Sequence, residues 1–339
     1  MTKKRSMMLV LIVLIIGGVG YGYYYTKSSM VLMGDYISIT YSEAVENSDD
    51  INTQIWSYDC ITNESKKVFE FEYTSQYPLG YYDRENELVY YTKRKTNNDE
   101  EYGDQIFVTD LSNNKEQQLT EDLFAVNYII PAQDQLFFAG RPKGGNALRL
   151  GAIDKKTNEI SYWGDEDTNI EAMTVDTKNK KIYASTYSEK ERQYNAIHQE
   201  GPVGQDNFKM PKFTVYEIGF DFNYTQMLFS ENMWIRTVMF NGESVVALCD
   251  KRYNDDAATI LYSYNLKTKK MIETIWDTKR LQNGDANYSS DGKNIYGISD
   301  IGGTRGVFEI HLDTQSYKPL FIQENGFINN VKVVKGTIE

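Results

Sequence analysis

Beyond residue 35 the apolar positions fall in short β-type runs broken every few residues by polar turn chemistry, with almost no stretch of helical period. The run Asn287-Tyr288-Ser289-Ser290-Asp291-Gly292-Lys293-Asn294-Ile295-Tyr296 shows the unit: a strand enters an Asp-Gly turn and a second strand leaves it. Variants recur down the chain. The corresponding apolar position of the second strand is Ile37, Leu88, Leu136, Ile182, Val245 and Ile295, at spacings of 51, 48, 46, 63 and 50 residues. Each of these strands is followed by a second hairpin with a polar turn, clearest from Gln105 to Thr120.

Four strands per unit and six units predict an all-β fold, a six-bladed β-propeller of four-stranded antiparallel blades, because radial repetition leaves only short, protected sheet edges. The first unit lacks its leading strand. The apolar run Ile328 to Val334 is an orphan of the right kind and is expected to complete blade one and close the ring.

The Ser-Asp-Gly-Lys hairpin at 290–293 and the hairpin ending in Leu119-Thr120 resemble the repeats of TolB-like six-bladed β-propellers. The resemblance spans roughly residues 36 to 334 and implies the fold. It implies no particular chemistry, since propellers serve adhesion, scaffolding and catalysis alike.

The repeat alignment also predicts two unlike faces. Turns inside the hairpins are short and polar, whereas the connections between second and third strands differ from blade to blade: 42–53, 93–104, 141–147, 188–212, 250–259 and 300–305. In an up-and-down blade these emerge beside the inter-blade links, so one face is plain and the other variable. Binding residues concentrate on loops held by a rigid scaffold. The candidate binding residues are therefore Asp50, Glu101, Tyr102, Arg141, Tyr194, His198, Arg252, Tyr253, Asp255 and Arg305. The long interval of 63 reflects the Ser188–Lys212 insertion in blade four, which reads either as a lid or docking loop or as a disordered segment.

The N-terminus adds an address. Lys3-Lys4-Arg5 precedes an uncharged apolar stretch from 7 to 25 that ends in Tyr23-Tyr24-Tyr25 and is closed by Lys27. At helical rise this stretch is about 28 Å long, close to the hydrocarbon thickness. The expected organisation is a cytoplasmic tail (1–6), a signal-anchor helix (7–25), a linker (26–35) and a propeller (36–339). The basic cluster places the propeller outside a cell membrane. The competing reading is a cleaved signal peptide and a secreted propeller, because the strongly apolar core from Met7 to Ile16 is short.

Composition narrows the function classes. The 36 Lys+Arg against 48 Asp+Glu give a net charge of -12, which opposes the phosphate attraction that nucleic-acid binding needs. The two cysteines, Cys60 and Cys249, fall in different repeats and are expected to be separate thiols. Acidic runs at Asp49-Asp50, Asp99-Glu100-Glu101 and Asp255-Asp256 lack the spacing of a calcium loop and read as solvated turns. The two histidines, His198 and His311, lie in blades that are not adjacent, which argues against zinc. No G-x-S-x-G elbow is present. Asp83, Asp176 and Asp291 occupy equivalent turns and read as turn chemistry, while Trp56, Trp163, Trp234 and Trp276 read as packing residues.

No cofactor, metal or catalytic residue is expected. The chain reads as a non-enzymatic binding or scaffold module for a protein or cell-envelope polymer. The alternative is a surface or secreted hydrolase or lyase with its substrate over the channel. Charged side chains clustered at the channel mouth would favour the enzyme, and a broad apolar patch would favour docking.

Overall fold

The computed structural model describes residues 34–336 apart from 47, 49, 74, 76, 95–102, 199–207, 254–258, 277–280 and 302. The predicted span at 7–25 lies outside the described residues. Among the described residues no helix is long and apolar enough to cross a membrane.

Residues Asp35–Lys335 form one compact unit. Blade one contains β1 (Tyr36–Ala44), β2 (Ile51–Asp59) and β3 (Glu64–Glu72). Blade two is β4 (Gly80–Asp83), β5 (Leu88–Arg94), β6 (Asp104–Asp110) and β7 (Lys115–Gln118). Blade three is β8 (Leu123–Ala132), β9 (Gln135–Pro142), β10 (Arg149–Asp154) and β11 (Ile160–Trp163). Blade four is β12 (Thr168–Asp176), β13 (Lys181–Ser188), helix α1 (Glu189–Ile197), β14 (Phe213–Gly219) and β15 (Thr225–Glu231). Blade five is β16 (Trp234–Phe240), β17 (Ser244–Asp250), β18 (Thr259–Asn265) and β19 (Met271–Trp276). Blade six is β20 (Leu281–Tyr288), β21 (Asn294–Ile301), β22 (Thr304–His311) and β23 (Tyr317–Ile322), and β24 (Phe327–Val334) follows.

Every sheet is four-stranded and antiparallel, and the last strand belongs to the first blade in the order β24-β1-β2-β3. Its register runs from Tyr36 opposite Val334 to Ser42 opposite Phe327. The ring therefore closes as the orphan strand predicted. The closing contact joins the two ends of the propeller through backbone hydrogen bonds and covers the edge of β1, with β24 taking the innermost position that the first strand holds in the other blades.

The repeat is written most regularly in the second hairpin of each blade, where a side chain caps the turn. Asp59 Oδ1 accepts from the N–H of Ile61 and Thr62 at 2.9 and 3.0 Å. Asp154 repeats this with Lys156 and Thr157, and Asn265 with Lys267 and Thr268. Four residues after each cap the chain enters the left-handed region, at Asn63, Asn114, Asn158 and Lys269 in blades one, two, three and five. In the first hairpins, Asp83, Asp176 and Asp291 likewise accept from backbone N–H groups two or three residues on. They serve the turns.

Packing is mainly between blades. Ile37, Ile39 and Tyr41 of β1 pack with Ile298, Val307 and Phe321 of blade six. From the other side of β1, Tyr36 Oη donates to Tyr82 O at 3.0 Å and Ser38 Oγ accepts from Tyr82 N at 2.9 Å in blade two. Both cysteines are free, with Cys249 fully buried and Cys60 partly exposed. Burial pushes the Cys60 thiol up to about 12, so it stays protonated at neutral pH.

Two expectations need correction. The 300–305 connection is no variable loop: β21 and β22 stay paired to Ile301 opposite Thr304, and Asp300 lies opposite Arg305. The blade-four insertion is not wholly irregular, since it begins with α1 directly off β13. The sequence carried that signal in Ser188-Glu189-Lys190-Glu191, an S-x-x-E capping pattern. Ser188 Oγ accepts from Glu191 N at 3.0 Å and donates to Asp167 Oδ2 at 2.6 Å. Asp167 Oδ1 accepts from Lys190 N at 2.7 Å, so the helix start is anchored to the link that enters blade four.

Candidate functional site

The variable face holds a cleft of about 440 Å³ over blades two, three and four, and α1 forms one wall. Tyr77 reaches it from the link into blade two, Asp104 from blade two, Asn127, Arg141 and Asn146 from blade three, and Asn169, Tyr187, Glu189 and Arg192 from blade four. The cleft opens on the face that carries the connections between second and third strands.

Backbone irregularity sets the mouth. In several innermost strands a register shift leaves an extra residue: Phe124 and Asn127 in β8, Glu171 in β12, Arg236 in β16 and Asn329 in β24. Bulges re-aim the side chain they carry. The shifts cluster in the half of each strand nearest the variable face, where Asn127 enters the cleft.

Charges at the mouth are mostly neutralised in place. Arg192 Nη2 and Nε donate to Glu189 Oε1 and Oε2 at 2.6 and 2.9 Å, a bidentate pair one helical turn apart. These bonds hold the Arg192 guanidinium above its ordinary range. Glu189 is buried and also accepts from Gln193 Nε2 at 3.0 Å. Asp104 is buried, with Arg94 Nε at 3.5 Å. Asn169 Oδ1 accepts from Leu148 N at 2.8 Å, tying the blade-three loop to β12. Arg141 differs. Its guanidinium lies 4.0 Å above the Phe124 ring and makes no hydrogen bond or ion pair among the described residues.

A second group lies beside the cleft. Trp234 Nε1 donates to Glu171 Oε1 at 2.6 Å, and Tyr253 packs edge-on to Trp234 at 5.0 Å. Phe208, from the insertion, packs at a tilt against Tyr253 with ring centroids 5.6 Å apart. Burial raises the Glu171 carboxyl to about 7, against the opposing pull of the Trp234 hydrogen bond and Arg192. Burial, and then the Glu171 charge, raise both the Tyr187 and Tyr253 hydroxyls.

The predicted binding residues do not form one site. Arg141 lines the cleft, and Tyr253 belongs to the adjoining aromatic group. Tyr194 and His198 stack on each other at 4.0 Å near the C-terminal end of α1, where His198 Nδ1 lies 2.9 Å from Tyr194 O. Asp50 accepts from Ser48 Oγ at 2.6 Å within its own exposed loop. Arg252 is exposed. Arg305 lies elsewhere on the variable face, stacked on Phe327 at 4.1 Å and donating to Ile328 O at 3.0 Å. Glu101, Tyr102 and Asp255 lie outside the described residues.

Sequence reading missed Glu171, Glu189 and Arg192. The capping pattern at Ser188 locates the last two. Glu171 carries no motif, because a bulge position is not marked in a single strand. Arg236 was missed too, and its role is structural: the fully buried guanidinium donates to Asp250 Oδ2 at 2.9 Å, Leu281 O at 2.6 Å and Thr259 Oγ1 at 3.1 Å.

No protein-family model matches the chain. It is similar to the uncharacterized protein YdjN of Bacillus subtilis (strain 168), 22% identical over 315 residues, covering 85% of this chain and 88% of that protein. Among solved structures, TolB from Acinetobacter baumannii has a TM-score of 0.59 at 12% identity, covering 89% of this chain and 67% of that one. A chain of the nidogen/laminin complex has a TM-score of 0.57 at 10% identity, covering 88% of this chain and 98% of its own length. The tricorn protease has a TM-score of 0.53 at 13% identity over 84% of this chain, which spans only 30% of that protein's length. The fold is therefore a six-bladed TolB-like propeller, and at these identities the likeness is one of fold.

Proposed function

We propose that this chain is an extracytoplasmic binding module, held to a cell membrane by residues 7–25, whose variable face engages a protein or cell-envelope polymer. The observation that carries the reading is the cleft on that face, a concave site built from three blades and α1 on a rigid ring. The nidogen/laminin complex supports it, because that complex joins two proteins and one of its chains shares this fold. Exposed Tyr194 and Ile197 on α1 add apolar contact area beside the polar cleft.

The test is cross-linking in native cells followed by capture through the full chain. The expected result is a partner retained by wild type and by the plain-face variant Lys178→Glu, and lost in a double variant Arg141→Glu/Tyr194→Ala. Equal capture by all three chains would refute a variable-face site. Release of the chain from washed membranes by high salt alone would refute the anchor.

One observation favours a second reading, hydrolase or lyase chemistry over the channel. The mouth is charged rather than broadly apolar, and Glu171 has the raised carboxyl that a general acid needs. In that case Glu171→Gln would abolish turnover of an envelope substrate while leaving capture intact.

A further inference from the structure

We infer that the cleft over blades two to four is a saccharide site that takes a carboxylate on Arg141; this deepens, and rests on, the reading of the variable face as a binding surface. Arg141 is half-buried in the cleft wall, yet it makes no hydrogen bond or ion pair among the described residues. Its neighbours show that this is not general to the cleft. Glu189 is taken by Arg192 and Gln193, and Asp104 has Arg94 beside it. Among the described residues Arg141 is therefore an uncompensated charge of the cleft, on a chain whose net charge is -12. An anion is the ligand that such a charge selects.

Geometry narrows the anion. Phe124 covers one face of the guanidinium at 4.0 Å, which holds the group in one orientation and leaves the N–H donors along its edge for a partner. An in-plane fork of donors matches a planar carboxylate bidentately. Around it, the exposed side-chain amides of Asn127 and Asn146 make no protein hydrogen bonds among the described residues, and neither does the Tyr187 hydroxyl. Amides carry both donors and acceptors and so suit hydroxyl groups. The volume of about 440 Å³ fits one or two sugar rings. A uronic acid unit of a polymer combines these features: one carboxylate, several hydroxyls and little apolar surface.

Titration calorimetry of the full chain in mild detergent tests this with trigalacturonate, maltotriose, glucose 6-phosphate and tetraglutamate as probes. Trigalacturonate is expected to bind and maltotriose to show no heat of binding. Arg141→Gln should weaken trigalacturonate by roughly ten- to hundredfold, the loss expected for a charge-assisted hydrogen-bonded pair. Lys178→Gln, exposed on the plain face, should leave it unchanged. Because the Arg141 side chain makes no protein hydrogen bond among the described residues, its variant should melt close to wild type, which separates lost binding from lost fold. Equal binding of maltotriose, an unaffected Arg141→Gln variant, or no binding of trigalacturonate would overturn the site. Tighter binding of tetraglutamate would overturn the saccharide assignment in favour of an acidic peptide, and tighter glucose 6-phosphate would overturn the carboxylate. Variable-face capture that persists while trigalacturonate fails would sink this inference and leave the broader reading standing.

Discussion

Replacing Glu171 by Gln should stabilise the propeller at alkaline pH and leave it unchanged in acid. The Glu171 carboxyl is raised from 4.5 to about 7, first by burial, with the Trp234 hydrogen bond and Arg192 opposing. In the unfolded chain the group ionises near its ordinary value, while in the fold it holds its proton to about neutrality. The stability it contributes is therefore fully present below pH 4.5 and lost as pH rises through about 7. The upward displacement of the carboxyl corresponds to about 3 kcal/mol across that window. Gln is neutral at all pH and its amide oxygen can still accept from Trp234 Nε1, so Glu171→Gln should escape the loss. Urea unfolding of both chains at pH 4, 5, 6, 7 and 8 measures the difference, in which every other titrating group cancels. The expected gap is near zero at pH 4 and grows to about 3 kcal/mol at pH 8, or roughly 5 °C in melting temperature for a domain of this size. A gap independent of pH, or none at pH 8, would refute the claim that burial holds this carboxyl neutral.

Three further outcomes follow from the packing. Arg236→Met leaves Asp250 buried without its guanidinium and should cost about 3–5 kcal/mol in denaturant unfolding; adding Asp250→Asn should recover part of it, and full additivity of the two losses would count against a coupled pair. Truncation before Phe327 removes the strand that closes blade one and exposes the edge of β1, so the product should aggregate or fail to give a single cooperative melt; a wild-type melt would show the ring does not need its clasp. Ser188→Ala removes the cap of α1 and its bond to Asp167, which should cost about 1 kcal/mol locally, read as faster amide exchange across 189–197 with the blade strands unaffected.

The architecture was readable in the chain because local rules write it. Each β-hairpin carries its own turn chemistry, and apolar runs of strand length between those turns leave few ways to bury the sheets. The spacing of Ile37, Leu88, Leu136, Ile182, Val245 and Ile295 marked the six blades, and the missing first strand implied that the run from Ile328 to Val334 would pair with β1. The variable face followed from topology alone, since connections from second to third strands must emerge beside the inter-blade links.

Apart from the capped start of α1, the site obeyed no local rule. Arg141 was marked only by its place in the variable 141–147 connection; its value comes from Phe124 beneath it and from neighbours whose charges are already matched, and these are contributed by separate strands. Asp300 and Arg305 looked like the ends of a loop but are cross-strand partners, because a two-residue turn and a six-residue loop can start from similar polar residues. Glu171 and Arg236 stand at bulges, where one unpaired residue redirects a side chain without any mark in its own strand. Hydrophobic period and turn residues act over a few positions, so they are legible in one dimension. A cleft is assembled from side chains dozens of residues apart, and the burial and pairing that set its charge exist only once the blades have closed.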